Sequence, residues 1–453
     1  MDNLDLVIRS RRVVMENAVF PAAIGVKDGR IACLAQPEYP LAAREEVDFG
    51  DLMLFPGLID PHVHFKDPGP NTSRENWESG TRQAAAGGVT TVLEMPLSIP
   101  LTVDKASFDA KMARAEKLSL VDFALWGGMN KLATGHYQEL NALGAVAFKV
   151  FLSTDPDSPR LGDYDFIQAL REVAALGGLV GVHAENAEIV DSLVASLEKA
   201  GRRDGIAHKE SRPAVAEVEA VQRTLLFGLE TGCRIHICHL STAAAGPVMR
   251  FYRQQGADFT VETCPSYLIL DQRDLARCGS RAKCNPPLRE PENREALWHL
   301  LLAGEIDILG SDHSPYWDQE RDKSLWQAPP GLSGIDLMFP LLLDEGLNHR
   351  GVKPEVLGQI LSRNAARRFG LYPRKGCIRP GADADLVVVD PDQEWVWSWR
   401  HSLGNSQEKN TPYEGRQIKG KVLATFVRGT KVYDGEKNQI LAEPGQGKFI
   451  RPA

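Results

Sequence analysis

Four histidines and one aspartate stand out in this chain of 453 residues because each closes an apolar run of strand length. His62 and His64 are two residues apart, so on a strand both imidazoles point to one side. His183 follows LVGV, His239 follows CRIHIC, and Asp312 follows IDILGS. Imidazole and carboxylate together suit zinc or another borderline divalent ion. A single strand histidine is more often a hydrogen-bonded core residue. His136, His208, His299, His349 and His401 keep that reading, or one of plain surface exposure. His236 and His239 are three apart and would face opposite ways on an extended strand. His239, nearer the strand end, is the preferred ligand, and His236 becomes a supporting or core histidine.

These five donors are many for one ion and few for two. GAVAFKVFLS, residues 144–153, holds a lysine, Lys149, within an apolar run. A buried ammonium without a partner is unfavourable. A neutral amine that has captured carbon dioxide is a carbamate, a carboxylate on a long arm that can bridge two cations. Burial and nearby cations favour that neutral amine. A surface-facing lysine, a Schiff-base lysine and a salt-bridge partner are the other readings of Lys149.

The elements that must position these groups recur regularly. Eight strand-like runs lie at 58–64, 89–95, 121–128, 145–153, 179–186, 233–241, 258–265 and 306–315. Helix-like stretches such as KASFDAKMARAEKL separate them. Eight β–α units predict an α/β fold, a (β/α)8 TIM barrel over residues 56–370, with the chemistry at the C-terminal strand ends. A doubly wound sheet is the rival, but no GxGxxG follows the first strand. Residues 1–55 and 371–453 are both β-rich with Gly turns, and Lys27-Asp28-Gly29 reads as a hairpin turn. The two ends are expected to combine into one small composite β-sandwich domain.

Composition narrows the partners. A formal charge of -8 argues against nucleic acid or an anionic membrane as the main partner. Seven scattered cysteines show no zinc-knuckle spacing and suit a reducing cytoplasm. The N-terminal residues contain no signal-like apolar run, and nothing approaches a membrane span.

Taken together, DPHVH, the strand lysine, His183, His239 and SDHSP resemble the binuclear-metal amidohydrolases of the cyclic amide branch. That branch includes allantoinases, dihydropyrimidinases (hydantoinases) and dihydroorotases, and the resemblance covers essentially the whole chain. It implies that His62 and His64 bind one metal and His183 and His239 the other. Carboxylated Lys149 would bridge them, and Asp312 would bind the first metal and handle protons. Zinc, manganese, cobalt and iron remain candidates for the two ions. The stretches NWESGTRQAAAGGVTTVLEMPL, SRPAVAEVEAVQR, CRIHICHLS and AKCNPPLREPENREALW look most like allantoinases. The resemblance also implies backbone groups that hold a small cyclic amide or ureide near Asn285 and Gly331, and a homotetramer or dimer.

Some positions depart from the branch. The hydantoinase pattern has a tyrosine shortly after the lysine, where this chain runs to Ser153 and Thr154. The arginine and asparagine of the dihydroorotase pattern are replaced by Lys66 and Leu97. Lys66 is either solvated or meets an acidic substituent. CPHY appears as Cys264-Pro265-Ser266-Tyr267. The expected reaction is hydrolysis of allantoin to allantoate, in a purine-degrading role, with hydantoinase-like or dihydroorotase-like hydrolysis as the alternative. In it Asp312 serves as base and then acid, and Ser153 or Thr154 contributes to holding the oxyanion. A non-catalytic barrel and a metal hydrolase of another class are the competing functions. Residues 316–331, YWDQERDKSLWQAPPG, read as a lid or rim, with Trp317 and Trp326 facing a ring or packing the loop.

Overall fold

The computed structural model describes residues 4–155, 158–406 and 408–453. Five strands begin the chain: β1 (Leu4–Val14), β2 (Val19–Lys27), β3 (Arg30–Ala35), β4 (Ala43–Asp48) and β5 (Met53–Pro56). The turn between β2 and β3 has positive φ at Asp28 and Gly29, as a two-residue hairpin requires. Four strands come from the other end: β15 (Leu386–Val396), β16 (Gln417–Val427), β17 (Thr430–Asp434) and β18 (Gln439–Ile440). β5 pairs antiparallel with β15, with Leu54 opposite Val388. Strands from both chain ends thereby join one sheet, in the order β18-β17-β16-β15-β5-β1-β2-β3, with β4 beside β1.

Between them runs a ring of parallel strands: β6 (Leu58–Val63), β7 (Val89–Glu94), β8 (Asp122–Leu125), β9 (Gly127–Gly128), β10 (Phe148–Phe151), β11 (Leu179–His183), β12 (Arg234–Ile237), β13 (Phe259–Thr263) and β14 (Ile308–Leu309). β8 and β9 are one strand bent at Trp126, whose N–H donates to the Glu94 carbonyl at 3.1 Å. The other seam closes through a parallel bridge from Val63 to His313. β6 and β7 are buried at every position. That is normal for a parallel sheet covered by helices, and it explains the unbroken apolar runs. The helices start where short polar residues cap them, as Asn76 does for Trp77–Ala86 and Asp104 for Lys105–Leu118. This is the barrel-plus-sandwich architecture expected from the sequence.

One element differs. The sequence suggests a strand across 306–315, but regular pairing ends at Leu309. Beyond it Ser311 N–H turns to the Asp60 carboxylate at 3.0 Å and Asp312 takes a φ of 49°. The chain leaves the ladder to aim Asp312 inward. No helix among the described residues is long and apolar enough to cross a membrane.

Candidate active site

One cavity of about 730 Å³ opens at the C-terminal ends of the barrel strands. His62, His64, Lys149, His183, His239 and Asp312 all line it. So do the residues expected near substrate: Lys66, Ser153, Thr154, Asn285 and Gly331.

Two clusters face each other. Asp312 Oδ1 lies 3.3 Å from His62 Nε2 and 3.2 Å from His64 Nε2. These three residues form a group that can hold a metal ion. On the other side His183 Nδ1 and His239 Nε2 are 3.0 Å apart. The His62 and His239 rings, 5.2 Å between centroids, join the two clusters. Lys66, His239 and Asp312 all have positive φ although none is glycine. Such strain persists only where surrounding structure enforces it, and here it gathers at one site.

Lys149 stands in β10 with Gly128 and Gly181 as its lateral neighbours. A side chain at Gly181 would meet the Trp126 ring at 2.5 Å. Lys149 is 1% exposed, and among the described residues no hydrogen-bond partner meets its Nζ. An isolated buried ammonium carries a penalty of several kcal/mol. Among the described residues His62 Nε2 is likewise buried without a hydrogen-bond partner. This donor set is polar, converging and incomplete, which fits a bound cation.

The electrostatics agree. Burial and Lys149 oppose a charge on His62, but Glu262 and Asp312 outweigh them and raise its pKa to about 10. The field at this ring therefore favours a cation, and a divalent ion would answer the same carboxylates. Burial lowers the pKa of His64 to about 4 and moves His239 well down, so both rings stay neutral. Neutral imidazole is the metal-binding form. Burial opposes ionisation of Asp312, yet His62 and His64 bring its pKa below the usual carboxylate value.

Several supporting residues escape the sequence reading. Glu262 in β13 accepts from His62 Nδ1 at 2.8 Å, from His236 Nε2 at 3.2 Å and from the His239 backbone N–H at 3.0 Å. Glu185 lies 2.7 Å from His183 Nε2 and pairs with Arg212. Burial works against the Glu185 charge, but Arg212 and His183 hold its pKa down at about 2. Carboxylates behind imidazoles fix tautomer and ring orientation at metal sites. His236 bonds Glu262 and Thr260 and does not line the cavity. His208 is buried and hydrogen-bonded to the Cys284 carbonyl, as the core reading from sequence has it, and it also lines the cavity, because its helix packs onto the Cys284 loop.

The 316–331 segment forms part of the cavity wall through Tyr316, Glu320 and Trp326–Gly331. Lys283 Nζ ties it down through the Leu325 and Ala328 carbonyls, at 2.8 and 2.6 Å. It is a fastened rim. Trp326 faces the cavity, while Trp317 is not among the lining residues. The Tyr316 ring packs against Arg74, Arg321 and Lys66, at 4.5, 4.8 and 5.7 Å from its centroid.

Residues 53–432 match the model of the amidohydrolase family. The chain belongs to that family. It is 42% identical to an allantoinase of Rubrobacter xylanophilus across 100% of this chain and 98% of the relative. An allantoinase of Escherichia coli is 36% identical, with 98% of each chain covered. Among solved structures, the L-hydantoinase (dihydropyrimidinase) of Arthrobacter aurescens superposes with a TM-score of 0.95 at 32% identity, covering 99% of this chain and 100% of that one. The amidohydrolase cavity of this chain thus sits in a scaffold that relatives with two different names share.

Proposed function

We propose that the protein is an allantoinase that adds water across a ring amide C–N bond of allantoin to give allantoate. One observation carries this reading: two ligand clusters converge around Lys149 in a chain alike over its whole length to an allantoinase. His62, His64 and Asp312 would hold one divalent ion and His183 and His239 a second. A carboxylated Lys149 would bridge them, its neutral amine forming an N–C bond to carbon dioxide and releasing one proton. Zinc is the favoured metal, with manganese, cobalt and iron as alternatives. When bound, two such ions polarise the ring carbonyl and make water nucleophilic at neutral pH.

The chain's own groups do the rest. Asp312 accepts a proton from the attacking water as its oxygen bonds to the carbonyl carbon. It then delivers that proton to the ring nitrogen as the C–N bond breaks. Asn285 and Gly331 would hold the ring at the cavity wall. Thr154 Oγ1 is committed to Asp191 at 2.7 Å, which favours Ser153 as the hydroxyl that meets the oxyanion. Lys66 would meet the polar end of the substrate. Residues 56–370 form the catalytic unit in this reading, with 1–55 and 371–453 as its companion. The enzyme would act in the cytoplasm, in purine breakdown, as a homotetramer or dimer.

The structural likeness to the hydantoinase favours a second reading, hydrolysis of hydantoins or dihydropyrimidines. A metal-restored panel of allantoin, hydantoin, dihydrouracil and dihydroorotate separates the two. Turnover of allantoin above the others is expected. No hydrolysis of any cyclic amide would overturn the proposal.

A further inference from the structure

His208 is the one cavity histidine outside the two ligand clusters. It lies in the short helix Gly205–Ser211, which Asp204 caps through Ala207 N–H. Its Nε2 is 2.9 Å from the Cys284 carbonyl oxygen. A carbonyl only accepts, so Nε2 carries the ring proton. Burial, reinforced by Arg212 and Lys283, pushes the pKa of His208 down to about 3. The ring is therefore neutral and Nδ1 presents a lone pair. Among the described residues no donor meets Nδ1, which leaves its lone pair available at the cavity that His208 lines. An acceptor at a cavity wall is completed by water or by a group of the bound ligand.

Arg212 supplies the complement. It lines the same cavity and pairs with Glu185 through Nη1. Its Nε and Nη2 meet no acceptor among the described residues. The other nearby cation is already committed, since Lys283 Nζ is held by two rim carbonyls. One stretch of wall thus offers a neutral acceptor beside a planar donor. A ureido group, –NH–CO–NH2, presents the matching pair, an N–H beside a carbonyl oxygen.

We infer that His208 and Arg212 select the ureido side chain of the substrate, His208 Nδ1 accepting its N–H and Arg212 donating to its carbonyl. The inference rests on the allantoin reading and deepens it. A hydantoin with a bare or alkyl C5 has no group to place there, so this wall would set the preference for a ureide. A site built to pair a polar group discriminates strongly against analogues that lack it.

Two variants separate recognition from support. In His208→Gln the amide nitrogen replaces Nε2 and still donates to the Cys284 carbonyl, while the Nδ1 acceptor is lost. In His208→Asn an amide oxygen can occupy the Nδ1 position, while the reach to Cys284 is lost. Allantoin and hydantoin are compared on each variant, hydantoin being followed as substrate or as competitive inhibitor. The expected result for His208→Gln is a fall of about 10- to 100-fold in the preference for allantoin, carried by KM. His208→Asn should keep more of that preference even if it is the less stable variant. An unchanged preference in His208→Gln, or a larger loss in His208→Asn, overturns the inference. If the parent protein hydrolyses allantoin and the preference does not move, this inference alone falls. If the parent hydrolyses hydantoin and not allantoin, the functional reading falls and takes the inference with it.

Discussion

Lys149 and Lys375 are each 1% exposed, and the company they keep is opposite. Lys375 sits at the foot of the barrel, where β8 meets the sheet built from the chain ends. Its Nζ lies 2.5 Å from Asp122, 2.6 Å from Asp385 and 3.0 Å from Asp383. Lys149 sits under the mouth, and among the described residues no hydrogen-bond partner meets its Nζ. Burial alone therefore does not distinguish a structural lysine from a chemical one. The foot neutralises its cation with local carboxylates. Among the described residues the mouth gives its lysine the Phe151 ring but no hydrogen-bond acceptor, and surrounds it with imidazoles held ready by Glu262 and Glu185. Only the second arrangement needs something the chain does not supply.

Replacing each lysine should therefore break different things. Lys149→Ala should lower kcat/KM by at least about 10⁴-fold, since several kcal/mol of barrier lowering depend on the metals it would bridge. Metal content by elemental analysis should fall with it, while the melting temperature should stay at that of the metal-free parent. An active, metal-loaded enzyme whose Lys149 has unmodified intact mass would end the bridging role. Asp312→Asn, assayed with metal restored to full occupancy, comes next, with a loss of about 10²–10⁴-fold in kcat. Activity retained at full metal occupancy would remove Asp312 as the proton carrier.

The foot should answer the other way. Lys375→Met leaves Asp122, Asp383 and Asp385 without the cation they share. Removing one partner of a buried ionic group typically destabilises by about 3–5 kcal/mol. Denaturant unfolding should show that loss, while kcat per folded, metal-loaded molecule stays near the parent value. A stable Lys375→Met protein with impaired turnover would erase the distinction between the two lysines.

The sequence made much of the mouth legible because strands impose a short period. His62 and His64 must share a face, and Lys149 announces itself by interrupting an apolar run. Glu262 interrupts FTVET in the same way, and that signal was available. Its partners were not, because they lie on β6 and β12, and pairing across a barrel interior is invisible in local pattern. His208 is harder still. Its cavity position depends on a short helix packing onto the Cys284 loop, 76 residues away in sequence. Asp312 was found as a strand end, but its positive φ follows from Asp60 capturing Ser311, a contact of 251 residues' separation. What stayed hidden was long-range, and most of it supports or selects, whereas the residues at the centre were visible.

The smallest effect concerns pH and belongs to the mouth. His208 is buried neutral, with a pKa near 3 where an unfolded chain has about 6.5. Between those values the unfolded state binds more protons, so stability falls as pH drops through about 6.5 and stops falling, for this group, near 3. The slope is about 1.4 kcal/mol per pH unit once pH is well below 6.5. His208→Gln has no such proton to bind. Its stability deficit relative to the parent should therefore shrink by about 1 kcal/mol between pH 7.5 and pH 5.5, measured by chemical denaturation. A deficit that does not narrow would mean that His208 is not held neutral, and the lone pair assigned to Nδ1 would then carry a proton in acid.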